Sequence, residues 1–322
     1  AFWELTAIAS VFLIWAVRTE RSFKVGMRYL IIQVGSGVLL LSGAVLIVAD
    51  TGSIAFGHIG IDSLGGKLIL ASFGIKAAFP LLHNWLQDSY PEATVTGTVF
   101  LSAFTTKLAI YALARGYAGT EMLILVGAAM TAFPIFYAVI ENNLRRVLAY
   151  SLNNQLGFMV VGIGIGTEMA LNGAAAHAFT HIIYKALLLM SAGSVLLMTG
   201  KRKCSDLGGL FQSMPLTTVC GIIGALSISS FPLTSGFISK SMVSQAAADG
   251  SLMIVWYLLA AASAGVFLHA GIKFPWFVFF QKDSGLRPPD PPLNMRLAMI
   301  LFSALCIGVG VFPGPLYSIL PF

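Results

Sequence analysis

The stretch "HAFTHIIYKALLLM", residues 177–190, places His177, His181 and Lys185 four residues apart inside an otherwise apolar run. On an α-helix that spacing stacks all three on one face. They form a ladder about 12 Å long by helix rise. The hydroxyls of Thr180 and Tyr184 lie beside it in sequence.

The rest of the chain says where this helix lies. Hydrophobic residues make up 57% of the chain and charged residues 10%, against about 25% charged in soluble domains. The composition predicts an all-α, polytopic membrane protein. A β-barrel needs alternating segments of about ten residues, whereas the apolar runs here are longer and rich in Leu, Ala, Ile and Gly. The 33 glycines suit close helix packing in lipid.

Punctuation divides the chain into about ten spans: 1–17, 29–49, 64–86, 95–115, 120–140, 147–166, 172–199, 216–247, 252–280 and 295–319. The third and eighth contain Pro80 and Pro232, and the eighth is too long for one straight crossing. Proline removes a helix hydrogen bond, and broken helices are tolerated in a membrane where they line a polar cavity. With ten spans, Arg18, Arg21, Lys24, Arg28, Arg145, Arg146, Lys201, Arg202, Lys203, Lys282, Arg287 and Arg296 fall in loops on one side, and Arg115 falls on the other. The positive-inside rule makes the first side cytoplasmic. Topology therefore accounts for the formal charge of +6 without nucleic-acid binding. Cys204, Cys220 and Cys306 have no metal or redox spacing, and P-loop, dinucleotide and HExxH motifs do not occur.

Six lysines remain inside the spans: Lys67, Lys76, Lys107, Lys185, Lys240 and Lys273. Each costs roughly 2.5–3.5 kcal/mol at a helix centre on the insertion scale. Lys67 and Lys273, nearer helix ends, suit snorkelling to the interface. Lys76, Lys107 and Lys240 lie deep and are candidates for a cavity. Glu4 is the one carboxylate well inside the spans, and a carboxylate beside an ammonium keeps both charged. His-x3-His could hold zinc, but no third ligand is near in sequence and Lys185 would repel the metal.

"HAFTHIIYKALLLMSAGSV" resembles the signature of the proton-conducting antiporter-like membrane subunits. These are the large subunits of Mrp-type multisubunit sodium/proton antiporters, related to subunits of respiratory complex I and membrane-bound hydrogenases. "FGIKAAFPLLHNWLQDSYPEA", "NNLRRVLAYSLNNQLGFM" and "SSFPLTSGFISKSM" are similar to three further family segments, in the same order. The tail "LHAGIKFPWFVFFQKDSGLRPPDPPLNMRLAM" resembles the D-type subunit of Mrp antiporters. Three departures stand out. Proline is displaced to Pro91 after the His-x-Trp-Leu segment, the second broken helix lacks paired prolines, and Ser241 follows Lys240 where an acid is common.

The resemblance implies an inverted-repeat architecture. Residues 1–116 would be the C-terminal part of the first repeat, 117–280 the second, and 281–322 a loop and final helix. "FWEL" would open the family's fifth helix, so four earlier helices are expected to be absent from this chain. Proton transfer would fall to Glu4, Lys76, Lys107, His177, His181, Lys185 and Lys240. Glu4 and Lys76 would form an ion pair, and Lys76 and Lys240 would mark counterpart broken helices. The expected function is proton translocation in a multisubunit monovalent cation/proton antiporter, with protons and Na+ as the ions concerned. It needs other membrane subunits as partners, no cofactor, no metal and no catalytic chemistry of its own. The implied location is a bacterial inner (plasma) membrane. The rivals are a proton-pumping subunit of complex I or of a hydrogenase, and a non-conducting scaffold.

Overall fold

The computed structural model describes residues 2–322, so the first residue of the first expected span lies outside the described residues. Among the described residues the chain is helical, with one isolated β-bridge between Asn143 and Lys203. The helices are α1 (Phe2–Trp15), α2 (Glu20–Thr51), α3 (Leu64–Lys76), α4 (Asn84–Ser89), α5 (Val95–Gly116), α6 (Met122–Ile140) and α7 (Leu144–Ile165). Then come α8 (Glu168–Thr199), α9 (Pro215–Ile228), α10 (Ser235–Asp249), α11 (Met253–Phe280), α12 (Leu293–Val311) and α13 (Gly314–Tyr317). All ten expected spans carry helix, and the third and eighth are broken. Six helices are long and apolar enough to cross a membrane, and the chain is a multi-pass membrane protein.

The helix ends are written locally. Thr19 and Ser22 form a reciprocal capping box at the start of α2, and Gly52 closes it in the left-handed conformation. Asn143 caps α7 by accepting from the backbone N–H groups of Arg145 and Arg146. Gly166 then ends α7 with φ 73° and Thr167 caps α8. Left-handed glycine followed by a hydroxyl cap lets two long helices meet across a two-residue turn. From Phe267 to Phe280, α11 winds more loosely, with Pro275 between two wide-turn segments. Such turns absorb the hydrogen bond that proline cannot make.

Side-chain patterning is the reverse of a soluble bundle. In α2 the buried face is Ser22, Gly26, Tyr29, Gln33, Ser36, Gly37 and Gly43, while Ile31, Val38, Leu41 and Val45 are exposed. Large apolar side chains face lipid, and small or polar ones face the neighbouring helices. The centre of the bundle is α7 and α8; α8 packs against α5, α7, α9, α10 and α12. Their buried polar residues include Asn153, Asn154, Gln155, His177, His181 and Lys185.

Two loop groups mark the two ends of the bundle. Arg21 and Arg202 both reach Glu92, at 2.9 and 3.0 Å. Arg28 reaches Asp88 at 2.6 Å, and Arg146 approaches Asp88 and Glu141. These links join the loops after α1, α4, α6 and α8, the loops that the basic residues assign to one side. Arg115 lies at the other end, donating to the Phe56 carbonyl.

The α6–α7 contact depends on glycine. A Cβ on Gly157 would lie 2.6 Å from the Thr131 nitrogen and 2.7 Å from the Gly127 oxygen. Both atoms belong to backbone and cannot rotate away. Gly157→Ala should therefore push α6 from α7 and destabilise the fold by about 1–3 kcal/mol. Thermal unfolding in detergent checks this, and an unchanged midpoint would refute the close approach.

Candidate functional site

The two interruptions share one backbone geometry. In the first, the Ala78 N–H bonds to the Ile75 carbonyl at 3.2 Å and the Phe79 N–H to the Gly74 carbonyl at 2.9 Å. In the second, Ser230 bonds to Ser227 at 3.1 Å and Phe231 to Leu226 at 3.0 Å. Ala78 and Ser230 are left-handed, with φ 60° and 61°. This is the paired closure that ends many helices, usually with glycine in the left-handed seat. Leu81 and Leu233, directly after the prolines, are left-handed too, with φ 71° and 67°. The cause is legible as a repeat, Phe79-Pro80-Leu81 and Phe231-Pro232-Leu233. Proline supplies no N–H and a fixed φ, so neither helix can run through.

The lysines do not share that correspondence. Lys76 is the last residue of α3, before its break. Lys240 lies within α10, after the second break. Aligning the Phe-Pro-Leu repeats sets Ile228 opposite Lys76 and Asp88 opposite Lys240. The broken helices are counterparts, as expected, but their lysines stand at different points.

The expected Glu4–Lys76 ion pair is absent among the described residues. Lys76 is buried, donates to the Trp3 carbonyl at 3.0 Å, and sits 4.1 Å from the Trp3 ring centroid. Glu4 fills the space left by Gly37 on α2, where a Cβ would fall 1.0 Å from its Oε1. That oxygen is buried without a hydrogen-bond partner. The reason is rotation. Consecutive helix residues point about 100° apart, so with Trp3 turned to α3, Glu4 is turned to α2.

The ladder on α8 is fully buried: His177, His181 and Lys185 all have no exposed surface. His177 Nδ1 lies 2.9 Å from Ser239 Oγ on α10. Both nitrogens of His181 and Nζ of Lys185 lack a protein partner. Lys107 donates to its own helix at Ser102 O, 2.6 Å away. Lys240 donates to the Ile228 carbonyl at 2.7 Å, beside the Phe158 ring. The α8 ladder meets α10 beside Lys240, Lys107 lies on α5, which also packs on α8, and Glu4 with Lys76 forms a separate group on α1 and α3. No group of His, Cys, Asp or Glu among the described residues is arranged to hold a metal.

Sequence reasoning passed over His269. It is fully buried on α11, anchored by Nδ1 at the Gly265 carbonyl, with Nε2 unpartnered. His269 and Lys273 repeat the His-x3-Lys spacing of His181 and Lys185, which was the available signal. Gln87 and Asn153 are further buried side chains whose polar atoms have no partner. Lys273 behaves as its position near a helix end implied, donating to the Ala138 and Val139 carbonyls at the end of α6.

Comparison with known proteins adds independent findings. The family described as NADH:quinone oxidoreductase/Mrp antiporter, TM, matches residues 1–267. The chain is 31% identical to the N subunit of NADH-quinone oxidoreductase from Desulforudis audaxviator, over 96% of this chain and 68% of that protein. It is 30% identical to the D-type subunit of the Na(+)/H(+) antiporter from Alkalihalophilus pseudofirmus, over 98% and 68%. A chain of the membrane-bound sulfane sulfur reductase, an archaeal respiratory membrane complex, superposes with TM-score 0.88 at 25% identity, covering 98% of this chain and 68% of that one. A chain of the Mrp complex from Dietzia sp. DQ12-45-1b gives TM-score 0.86 at 22% identity, over 93% and 67%. The chain thus spans about two thirds of the length of these proteins.

The left-handed seats yield a signed prediction. A non-glycine residue there costs about 1–2 kcal/mol, while glycine in an ordinary helix interior costs roughly 0.5–1 kcal/mol relative to alanine. Ala78→Gly should raise the thermal midpoint in detergent, because the relieved strain exceeds the added chain entropy. A lowered midpoint would show that Ala78 sits in ordinary helix.

Proposed function

Because the chain belongs to the NADH:quinone oxidoreductase/Mrp antiporter transmembrane family, we propose that it carries protons across the membrane as an antiporter-like subunit of a multisubunit cation/proton antiporter. The observation that carries this reading is the pair His181 and Lys185. Three titratable nitrogens, one helical turn apart, are fully buried in the bundle without a protein partner. Buried polar groups are rarely left unmet, and water is the usual remedy. A hydrated row of groups that gain and lose protons is a conducting element. Lipid would penalise the same groups, so they gain nothing by facing outward.

The path enters at Lys76. Its ammonium is held by the Trp3 carbonyl and ring, and the Glu4 carboxylate biases its proton from the next position on α1. A change in the α1–α2 contact would move that carboxylate and release the proton toward Lys107. Lys107 hands it to the α8 groups, and Lys240 receives it beside the second break. The two Phe-Pro-Leu interruptions mark the repeats, 1–116 and 117–280. The basic loops face the cytoplasm by the positive-inside rule, in a bacterial plasma membrane. The likeness to chains of multisubunit complexes supports other membrane subunits as partners.

A second reading rests on the equal likeness to the N subunit of an NADH-quinone oxidoreductase. The proton path would be the same, driven by electron transfer elsewhere in the complex. Co-purification separates the two: redox subunits support the second reading, and small membrane subunits the first.

In vesicles holding the assembled complex, Lys76→Ala and Lys185→Ala should each lower proton flux by about a hundredfold, the lower end of what a lost proton-transfer group removes. Lys67→Ala, on an exposed residue, should leave it unchanged. Normal flux in both Lys76 and Lys185 variants at equal protein levels would reject conduction and favour a scaffold.

A further inference from the structure

A chain of fully buried polar groups crosses from α6 to α10 through His177, and its direction is fixed from one end. The Thr131 carbonyl can only accept, so the Asn154 amide that touches it donates through Nδ2. Asn154 Oδ1 is then the acceptor for Gln155 Nε2, 2.6 Å away. Gln155 is left to present Oε1 to Tyr184 at 2.9 Å, so the phenol donates to it. With its hydrogen committed there, Tyr184 offers only a lone pair to His177 Nε2, 3.5 Å away. That contact is favourable when Nε2 carries hydrogen, which makes Nδ1 the acceptor of the neutral ring. The donor to Nδ1 is the Ser239 hydroxyl at 2.9 Å, which Thr180 Oγ1 approaches at 2.9 Å. Each step follows from which atoms can donate and which can only accept.

We propose that the Thr131–Asn154–Gln155–Tyr184 chain locks His177 in the Nε2–H tautomer, so that His177 exchanges a proton only at Nδ1, under control of the Ser239 hydroxyl. The inference rests on the conduction reading above and deepens it. A proton cannot leave through Nε2, because Tyr184 delivers to an amide oxygen and an amide does not pass a proton on. His177 is thus a side port with one opening. The two ladder histidines differ in kind, since His181 has both nitrogens free of protein partners and can take a proton on one and release it from the other.

Ser239 has a second seat for its hydrogen. The Gly236 carbonyl lies 3.5 Å from Ser239 Oγ. With the hydroxyl turned to Nδ1, the port is closed. When it turns to Gly236, Nδ1 can take a proton from a lysine ammonium of the path. That lysine is Lys240, beside Ser239 on α10. The lysine becomes a neutral amine, the ring becomes imidazolium, and the new Nδ1–H donates to Ser239 Oγ. The proton returns by the same atom. Ser239 directly precedes Lys240 on α10, so any movement of α10 shifts gate and lysine together. Tyr184, Gln155 and Asn154 are positioning residues in this scheme.

The tautomer is directly measurable. In the intact protein with 15N-labelled histidine, in bilayers, His177 is assigned by the resonances lost in His177→Gln. Wild-type His177 should show a protonated Nε2 and an unprotonated Nδ1. Tyr184→Phe should release the lock and give an Nδ1–H population, with His181 unchanged. Ser239→Ala should keep the Nε2–H form, which is held from the other side. A wild-type ring with its proton on Nδ1, or divided between the nitrogens, would overturn the proposal. An undiminished Nε2–H form in Tyr184→Phe would overturn it as well. The wild-type spectrum requires no transport, so failure of conduction in the Lys76 and Lys185 tests is a separate result.

Discussion

Every backbone carbonyl freed inside a membrane must find a donor, and this one requirement organises the bundle. Helices α3 and α9 stop partway, and their last carbonyls are met by side chains. The Trp85 indole donates to Ile75 O at 2.9 Å, and Lys240 donates to Ile228 O at 2.7 Å. Lys273 does the same for the end of α6, and the Arg145 guanidinium gathers the carbonyls of Pro91, Ala93 and Thr94. A cation suits a helix C-terminus because the aligned peptide dipoles leave negative charge there. The magnitudes are comparable. A hydrogen bond to a charged group contributes about 1.5–3 kcal/mol, against roughly 2.5–3.5 kcal/mol to insert a lysine. The break makes the lysine tolerable, and the lysine makes the break tolerable.

The same requirement separates conducting groups from structural ones. Lys273 commits its donors to carbonyls at the end of α6, Arg145 commits its donors to carbonyls of the segment leading into α5, and both are fixed there. Lys76, Lys107 and Lys240 each hold one carbonyl, which leaves two ammonium hydrogens for other partners. Lys185 holds none. A graded set of anchors, from fixed to free, lets protons move among some cations while others keep the helices in place.

The arginine–carboxylate belt serves a different purpose. Exposed pairs contribute little singly, about 0–1 kcal/mol. Glu92 is the exception, since its side chain is 4% exposed and receives Arg21 from the first turn of α2 and Arg202 from the loop after α8. It ties the start of α2 to the loop after α8, holding together the end of the bundle where the first broken helix emerges.

What the sequence determined by itself is everything with local periodicity or local chemistry. The ten helical ranges, the interruptions at Pro80 and Pro232, the glycine and hydroxyl caps at Gly166 and Thr167, and the alignment of His177, His181 and Lys185 on one face depend on neighbours within a few turns. The pairing of Glu4 with Lys76 was not of that kind. Charge arithmetic favoured it, but the rotation of α1 places Trp3 against α3 and hands Glu4 to Gly37. Nor could spacing show that Ser239, 62 residues from His177 in the chain, stands at its Nδ1, or that Gln155 stands behind Tyr184. The spacing of His269 and Lys273 repeats that of His181 and Lys185, but spacing alone does not say that the His269 ring is fully buried. Periodicity fixes which residues share a face. Only the packing of one helix on another decides what that face meets, and hydrogen-bond partners and local electrostatics are set by that meeting.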